Sequence, residues 1–147
     1  MNLFNLKERN GEFELESYII DTVAFLAYLA DKLPIKADEF FKKAEKKEIK
    51  LLLPSIALGE TLYTIYKGKE IFGKRISIEK VDLIFQILKS ENIIKLVSLN
   101  LEAWRIFHSL TIPELHDRMI VTIYYYFKAI GIITNDPEIK EQVPIIW

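Results

Sequence analysis

The sequence predicts a single α/β domain with a central parallel sheet of about five strands and helices on both faces. Two observations carry that prediction. Short apolar runs (Tyr18-Ile19-Ile20, Leu51-Leu52-Leu53, Ile93 to Leu99, Ile132-Ile133-Thr134) alternate with longer amphipathic stretches, the order expected of strands joined by right-handed helical crossovers. The run Leu51-Leu52-Leu53, stopped by Pro54, also reads as a buried strand. A length of 147 residues, half of them hydrophobic and 28% charged, suits one domain with a real core and a solvated surface.

Residues 1–16 are polar with a turn signal at Asn10-Gly11, and read as an N-terminal extension, at most a short hairpin; the domain proper spans 17–147. Tyr18-Ile19-Ile20 is the first strand. Thr22 to Asp31 is a helix that stops near Pro34, with Thr22 expected to cap it. Asp38 to Lys47 is a Lys-rich helix burying Phe40, Phe41 and Ala44, and Lys50 to Leu53 is a strand with a hard stop at Pro54. Ser55 is the expected N-cap of a helix whose core stripe is Leu58, Leu62 and Ile65. Lys67 to Ser77, with Gly68 and Gly73, reads as a loop, after which Ser77 caps a helix burying Val81, Ile84 and Leu88. Ile93 to Leu99 is a strand, and Asn100 caps a helix through Leu110. Thr111 and Glu114 have capping-box spacing, and open a helix that Gly131 is expected to end near Ile130. Ile132 to Thr134 and Val143 to Ile146 are the last strands, with a short helix between them.

Composition excludes several functions. The chain has no cysteine, hence no disulfide framework and no thiolate metal site. No apolar run is long enough to span a membrane, and no signal peptide is evident, so a cytoplasmic protein is expected. A net charge of −1 rules out a uniformly basic nucleic-acid binder, yet Lys32 to Lys50 carries seven lysines against four acids. Lys67 to Lys80 carries five basic residues against two acids. Either segment could contact phosphate, or could be the solvated face of a helix.

Ligand sites of parallel sheets lie outside the carboxyl ends of the strands. Asp21 directly follows the first strand, and Asp136 lies two residues past Thr134. Glu60 shares a helix face with Ile56, Tyr63 and Thr64, and Asp117 sits one turn into the helix after Pro113. Each acid alone has a simpler explanation: Asp21 as a helix cap, Asp136 as the turn residue of Asn-Asp-Pro, Asp117 as a favourable charge at a helix N-terminus, Glu60 as a surface acid. Together they are distinctive.

The four segments YIIDTVAFLAYL (Tyr18 to Leu29), LPSIALGETLY (Leu53 to Tyr63), LHDRMIVTIYYYFKAIG (Leu115 to Gly131) and IITNDPEI (Ile132 to Ile139) resemble, in order and spacing, the acidic motifs of the PIN-domain nucleases. The chain is most similar to single-domain toxins of the VapC type. Two features depart from the pattern: Pro137-Glu138-Ile139 follows the fourth acid where an aromatic is usual, and residues 1–16 have no common counterpart. The resemblance implies a metal-dependent endoribonuclease leaving a 5′-phosphate and a 3′-hydroxyl, with catalytic residues Asp21, Glu60, Asp117, Asp136 and Thr134. Asp21, Asp117 and Asp136, with Glu60 outermost, would hold Mg²⁺ or Mn²⁺, since clustered carboxylates need a cation and all-oxygen ligands suit hard ions. Thr134 would hydrogen-bond a carboxylate or water. It implies single-stranded or loop RNA as substrate and an antitoxin as partner.

His116 neighbours Asp117 and should point about 100° away on a helix, so structural or RNA-facing roles are favoured over catalysis. His108 is read as structural. Arg118, Lys74 and Arg75 are candidate phosphate contacts. Tyr124 to Phe127 exceeds what one helix face can bury, which suggests a homodimer surface. The alternative reading is a PIN fold without turnover, acting as an RNA-binding or protein-interaction module. A haloacid-dehalogenase phosphatase would need a second Asp two residues after the first, where Val23 stands, and no glycine-rich phosphate loop is present.

Overall fold

A computed structural model of the chain describes residues 6–9 and 12–147, with side chains described from Glu14 onward. Strands β1 (Leu6–Arg9) and β2 (Glu12–Leu15) pair antiparallel, as a hairpin extension would; the Asn10-Gly11 turn signal lies outside the described residues. The domain then runs β3 (Ser17–Ile20), α1 (Thr22–Leu29), α2 (Ile35–Glu45), β4 (Lys50–Pro54), α3 (Ser55–Tyr66), the two-residue strands β5 (Glu70–Ile71) and β6 (Lys74–Arg75), α4 (Lys80–Ser90), β7 (Ile94–Val97), α5 (Leu101–Ser109), α6 (Leu115–Tyr126), β8 (Gly131–Ile133), α7 (Pro137–Lys140) and β9 (Ile145–Ile146).

Five strands form one parallel sheet in the order β7-β4-β3-β8-β9. Both faces are covered: Ile19, Ile20, Leu51, Leu53, Ile132 and Ile133 are fully buried, which is why these strands read as continuous apolar runs. From β3 the chain winds outward through β4 to β7, then returns to the other side of β3 with β8. The reversal between β3 and β8 makes a topological switch point, where a crevice opens at the carboxyl ends of the strands. The register Ile20↔Ile133 brings the two strand ends level, and the Asp21 amide donates to the Ile133 carbonyl at 3.2 Å. Asp21 and Thr134 therefore meet at this crevice.

Helix ends differ from the sequence expectation in several places; at α4 the N-cap is Glu79, with no side-chain capping bond, and not Ser77. Asp21, not Thr22, caps α1, its Oδ1 accepting from the Thr22 amide at 2.7 Å. Pro34 precedes α2, so that helix starts at Ile35 rather than Asp38. Ser55 lies inside α3 and makes no cap; Pro54 is the N-cap, because its extended backbone already sets the entry. Glu114, not Thr111, caps α6 by accepting from the Asp117 amide at 2.6 Å. α6 stops at Tyr126, with Lys128 left-handed (φ 53°) and the Ala129 amide bonding back to Tyr124, a Schellman ending made without glycine. Gly131 instead opens β8. A Cβ there would lie 3.0 Å from Ile146 Cδ1 and 3.3 Å from the Pro144 carbonyl, so its role is to let β9 approach β8.

The stripe that α3 buries is Ala57, Thr61 and Ile65, with Leu58 and Leu62 packed at its edges. Small residues at its centre let α3 settle closely against α1, and the Thr61 hydroxyl satisfies itself on the Ala57 carbonyl at 2.8 Å. The segment expected to be a loop holds the β5–β6 hairpin, whose tip residues Phe72 (φ 54°) and Gly73 (φ 74°) are both left-handed, as a type I′ turn demands. Among the described residues no helix is long and apolar enough to cross a membrane.

Candidate active site

Asp21 is buried at the end of β3, yet its carboxylate is well supplied with donors. Oδ1 accepts from the Thr22 amide and faces His116 Nε2 at 2.6 Å, while Oδ2 accepts from the Thr134 hydroxyl at 2.9 Å. Such bonds are what allow a carboxylate to stay inside. Thr134 is 0% exposed, and its oxygen also accepts from the Asp136 amide at 3.1 Å. One hydroxyl thus ties the ends of β3 and β8 together and fixes the backbone from which Asp136 projects. Asp136 also caps α7, accepting from the Glu138 amide at 2.9 Å. Capping and site geometry are the same arrangement seen from two sides, at Asp21 and at Asp136 alike.

The packing of α1 on α3 brings Glu60 to the mouth of the crevice, where it accepts from the Thr22 hydroxyl at 3.3 Å. His116 lies between Glu60 and Asp21, pairing with Asp21 through Nε2 and with Glu60 through Nδ1. The Nδ1 contact is a close ion pair without the alignment of a hydrogen bond. Burial alone would lower the imidazole's pKa, but the hydrogen bond with Asp21 and the charge of Asp21 and Glu60 outweigh it and push it up to about 10. The ring is therefore an imidazolium at neutral pH, the counter-ion of Asp21 and Glu60.

The neighbouring residue turns the other way. Asp117 is buried and converges with Asp136 and Glu138, each offering an oxygen within 4.8 Å of the others. Burial first, then the carboxyls of Asp136 and Glu138 and the charge of Glu114, push the Asp117 pKa up to about 8. The expected divergence of His116 and Asp117 holds, and both side chains still enter the site. The two groups adjoin: Asp136 and His116 line both the pocket that Asp21 lines and the one that Asp117 and Glu60 line.

The structure thus brings Asp21, Glu60, Asp117, Asp136 and Thr134 to one crevice, in two sets. Asp21 and Glu60 are balanced by His116, whereas among the described residues no cation pairs with Asp117, Asp136 or Glu138. Glu138 was not a candidate from sequence, and Glu114 was read there only as the partner of Thr111 in a capping box. Other candidates lie elsewhere. The Arg118 guanidinium is occupied, donating to the carbonyls of Phe107 (2.8 Å) and His108 (3.2 Å) over the Phe107 ring, so it clamps α6 to the end of α5 instead of reaching for phosphate. Lys74 and Lys80 donate to the last carbonyls of α1, Ala30 at 3.3 Å and Leu29 at 2.6 Å. Arg75 and His108 are exposed. Lys42 pairs with Asp38 on the solvated face of α2.

No family model and no curated protein matches the chain. Solved structures do. VapBC2 from Rickettsia felis, bound to a DNA fragment from their promoter, is 15% identical with a TM-score of 0.66, covering 89% of this chain and 99% of that one. VapC20 of Mycobacterium tuberculosis, a sarcin-ricin loop cleaving toxin, is 11% identical with a TM-score of 0.56, covering 84% of this chain and 93% of that one. Across nearly the whole length of both, the chain has the fold of VapC structures, a PIN-like α/β domain.

Proposed function

We propose that the chain is a metal-dependent endoribonuclease, the toxin of a toxin–antitoxin pair, with Asp21, Glu60, Asp117, Asp136 and Thr134 as its catalytic set. The observation that carries this is the uncompensated carboxyl cluster at the switch point. Burial first, and then the crowding of Asp136 and Glu138, raise the Asp117 pKa to about 8, and a divalent cation would offset the repulsion among the three carboxyls. Their all-oxygen donor set fits Mg²⁺ or Mn²⁺. Asp21, Asp117 and Asp136 would hold the ion, with Glu60 outermost, and when bound it supplies Lewis-acid activation of water and of the phosphodiester.

The protein's own groups do the rest. Thr134 keeps Asp21 and the Asp136 backbone in fixed relation. Glu60, exposed at the mouth, would orient an attacking water. His116 carries positive charge at the centre of an acidic crevice and lowers the repulsion that an incoming phosphate would meet. The likeness to VapC20 and VapBC2 supports single-stranded or loop RNA as substrate and an antitoxin protein as partner, acting in the cytoplasm. A homodimer is part of the proposal: of the aromatic run, Tyr125 is 46% exposed, although Tyr124 and Phe127 pack on the core and the Tyr126 hydroxyl accepts from Asn100 Nδ2 at 2.5 Å.

The test is cleavage of single-stranded or loop RNA in Mg²⁺ and Mn²⁺. EDTA should abolish it, Asp21→Asn and Asp136→Asn should each lower it about a hundredfold or more, and His116→Ala about tenfold or less. Cutting that survives EDTA, or that depends more on His116 than on Asp21, would overturn the proposal.

A further inference from the structure

The larger pocket of the crevice is about 660 Å³ in volume. It is lined by the charged groups Asp21, His116, Asp136 and Glu70 and by the apolar side chains of Leu26, Ile71 and Phe72. Phe72 stands at the tip of the β5–β6 hairpin. Its ring is 44% exposed, stacked at 27° on the Trp147 ring with centroids 6.5 Å apart. The first tip position of a type I′ turn favours Asn, Asp or Gly. A phenylalanine held there at φ 54° is a sterically disfavoured choice, and such residues concentrate where a ligand or substrate uses them. The hairpin is anchored by Lys74 on the Ala30 carbonyl, and exposed Arg75 lies opposite Glu70 in its register.

We propose that Phe72 is a stacking platform for one unpaired nucleobase of single-stranded RNA, seated on the apolar side chains while the adjoining phosphodiester lies over the acids. A nucleotide has the same mixed character as the pocket lining, a flat π-face joined to an anionic backbone, and aromatic side chains recognise unstacked bases in this way. This rests on the ribonuclease reading and gives it a substrate requirement: a base-paired segment cannot offer its face to Phe72.

The probe is a short single-stranded RNA carrying 2-aminopurine, titrated with protein in Ca²⁺ to read binding, and cut in Mg²⁺ to read turnover. With the wild type, stacking should quench the fluorophore. Phe72→Leu and Phe72→Ala should abolish the quench and weaken binding about tenfold or more, and should raise KM by a similar factor with kcat changed much less. Phe72→Tyr, which keeps the π-face, should behave as the wild type. Unchanged binding and quench in Phe72→Leu would overturn the inference, as would RNA that fails to bind at all. So would Phe72 variants that alter only self-association, which would make these apolar side chains a protein-contact face. RNA cut normally by Phe72→Leu would leave the ribonuclease reading standing without this inference. A Phe72-dependent quench with no cutting in Mg²⁺ would leave the inference standing and remove the ribonuclease reading.

Discussion

Thr134→Val is the substitution that most sharply tests how the crevice is built. The two side chains have nearly the same shape, so the change removes chemistry and leaves volume. At 0% exposure, the Thr134 hydroxyl donates to Asp21 Oδ2 at 2.9 Å and accepts from the Asp136 amide at 3.1 Å. A hydrogen bond to a carboxylate contributes about 1.5–3 kcal/mol, and a buried amide left without an acceptor costs about 1–3 kcal/mol. Asp136 is only half-buried, so water can partly reach its amide, and the lower half of that second range applies. The sum is roughly 2.5–5 kcal/mol, or a fall of about 5–20 °C in Tm for a chain of this size. Urea denaturation should show the midpoint falling with the slope unchanged. Thr134→Ser, which keeps the hydroxyl, should cost about 1 kcal/mol for the lost methyl. A Val variant within about 0.5 kcal/mol of the wild type would refute the account of Thr134 as the tie between β3 and β8.

Two further outcomes follow from the same geometry. Asp117 titrates near 8 in the folded chain against 3.8 ordinarily, so without metal the folded state binds a proton that the unfolded state has released. Its contribution is intact below about pH 4 and is lost as pH rises towards 8. In EDTA, Asp117→Asn should therefore be more stable than the wild type at pH 8 and equal to it at pH 4. We expect a gain on the order of 1 kcal/mol, because the exposed Glu138 and half-exposed Asp136 leave much of the repulsion to be screened by solvent. A variant no more stable at pH 8 than at pH 4, each relative to wild type, would contradict this. For the homodimer, sedimentation at micromolar concentration should give twice the mass of the 17.2 kDa chain, and Tyr125→Glu should halve it; a monomeric wild type would contradict the proposed surface.

The sheet and the positions of Asp21, Asp117 and Asp136 were legible in the sequence because they depend on strong local signals: continuous apolar runs, and acids at fixed distances from them. What was not legible depends on rotamers and on which elements become neighbours. Adjacent helix residues diverge, so His116 could not be placed in the site until α1 and α3 were seen to bring Asp21 and Glu60 around it. Glu138 carried no site signal in the sequence, and only the approach of α6 makes it the neighbour of Asp117. Arg118 had the charge for phosphate but is held by carbonyls at the end of α5, which no pattern in the sequence announces. The hairpin was hidden because Phe72 occupies a turn position where glycine or asparagine would have signalled it. The cap corrections share one cause. Several side chains near each helix start could serve, and the backbone path, set by Pro34, Pro54 and the entry to α6, decides among them.

The central claim is that the carboxyls of this crevice hold a divalent cation. The direct measurement is an anomalous difference map from crystals of the protein grown in Mn²⁺. The account predicts one dominant peak at the switch point, with Asp117 and Asp136 oxygens at about 2.0–2.3 Å and Asp21 in reach of the same ion. Asp136→Asn crystals should lack the peak. A map with no peak among Asp21, Asp117 and Asp136 at millimolar Mn²⁺, or with the ion held elsewhere on the chain, would contradict the account.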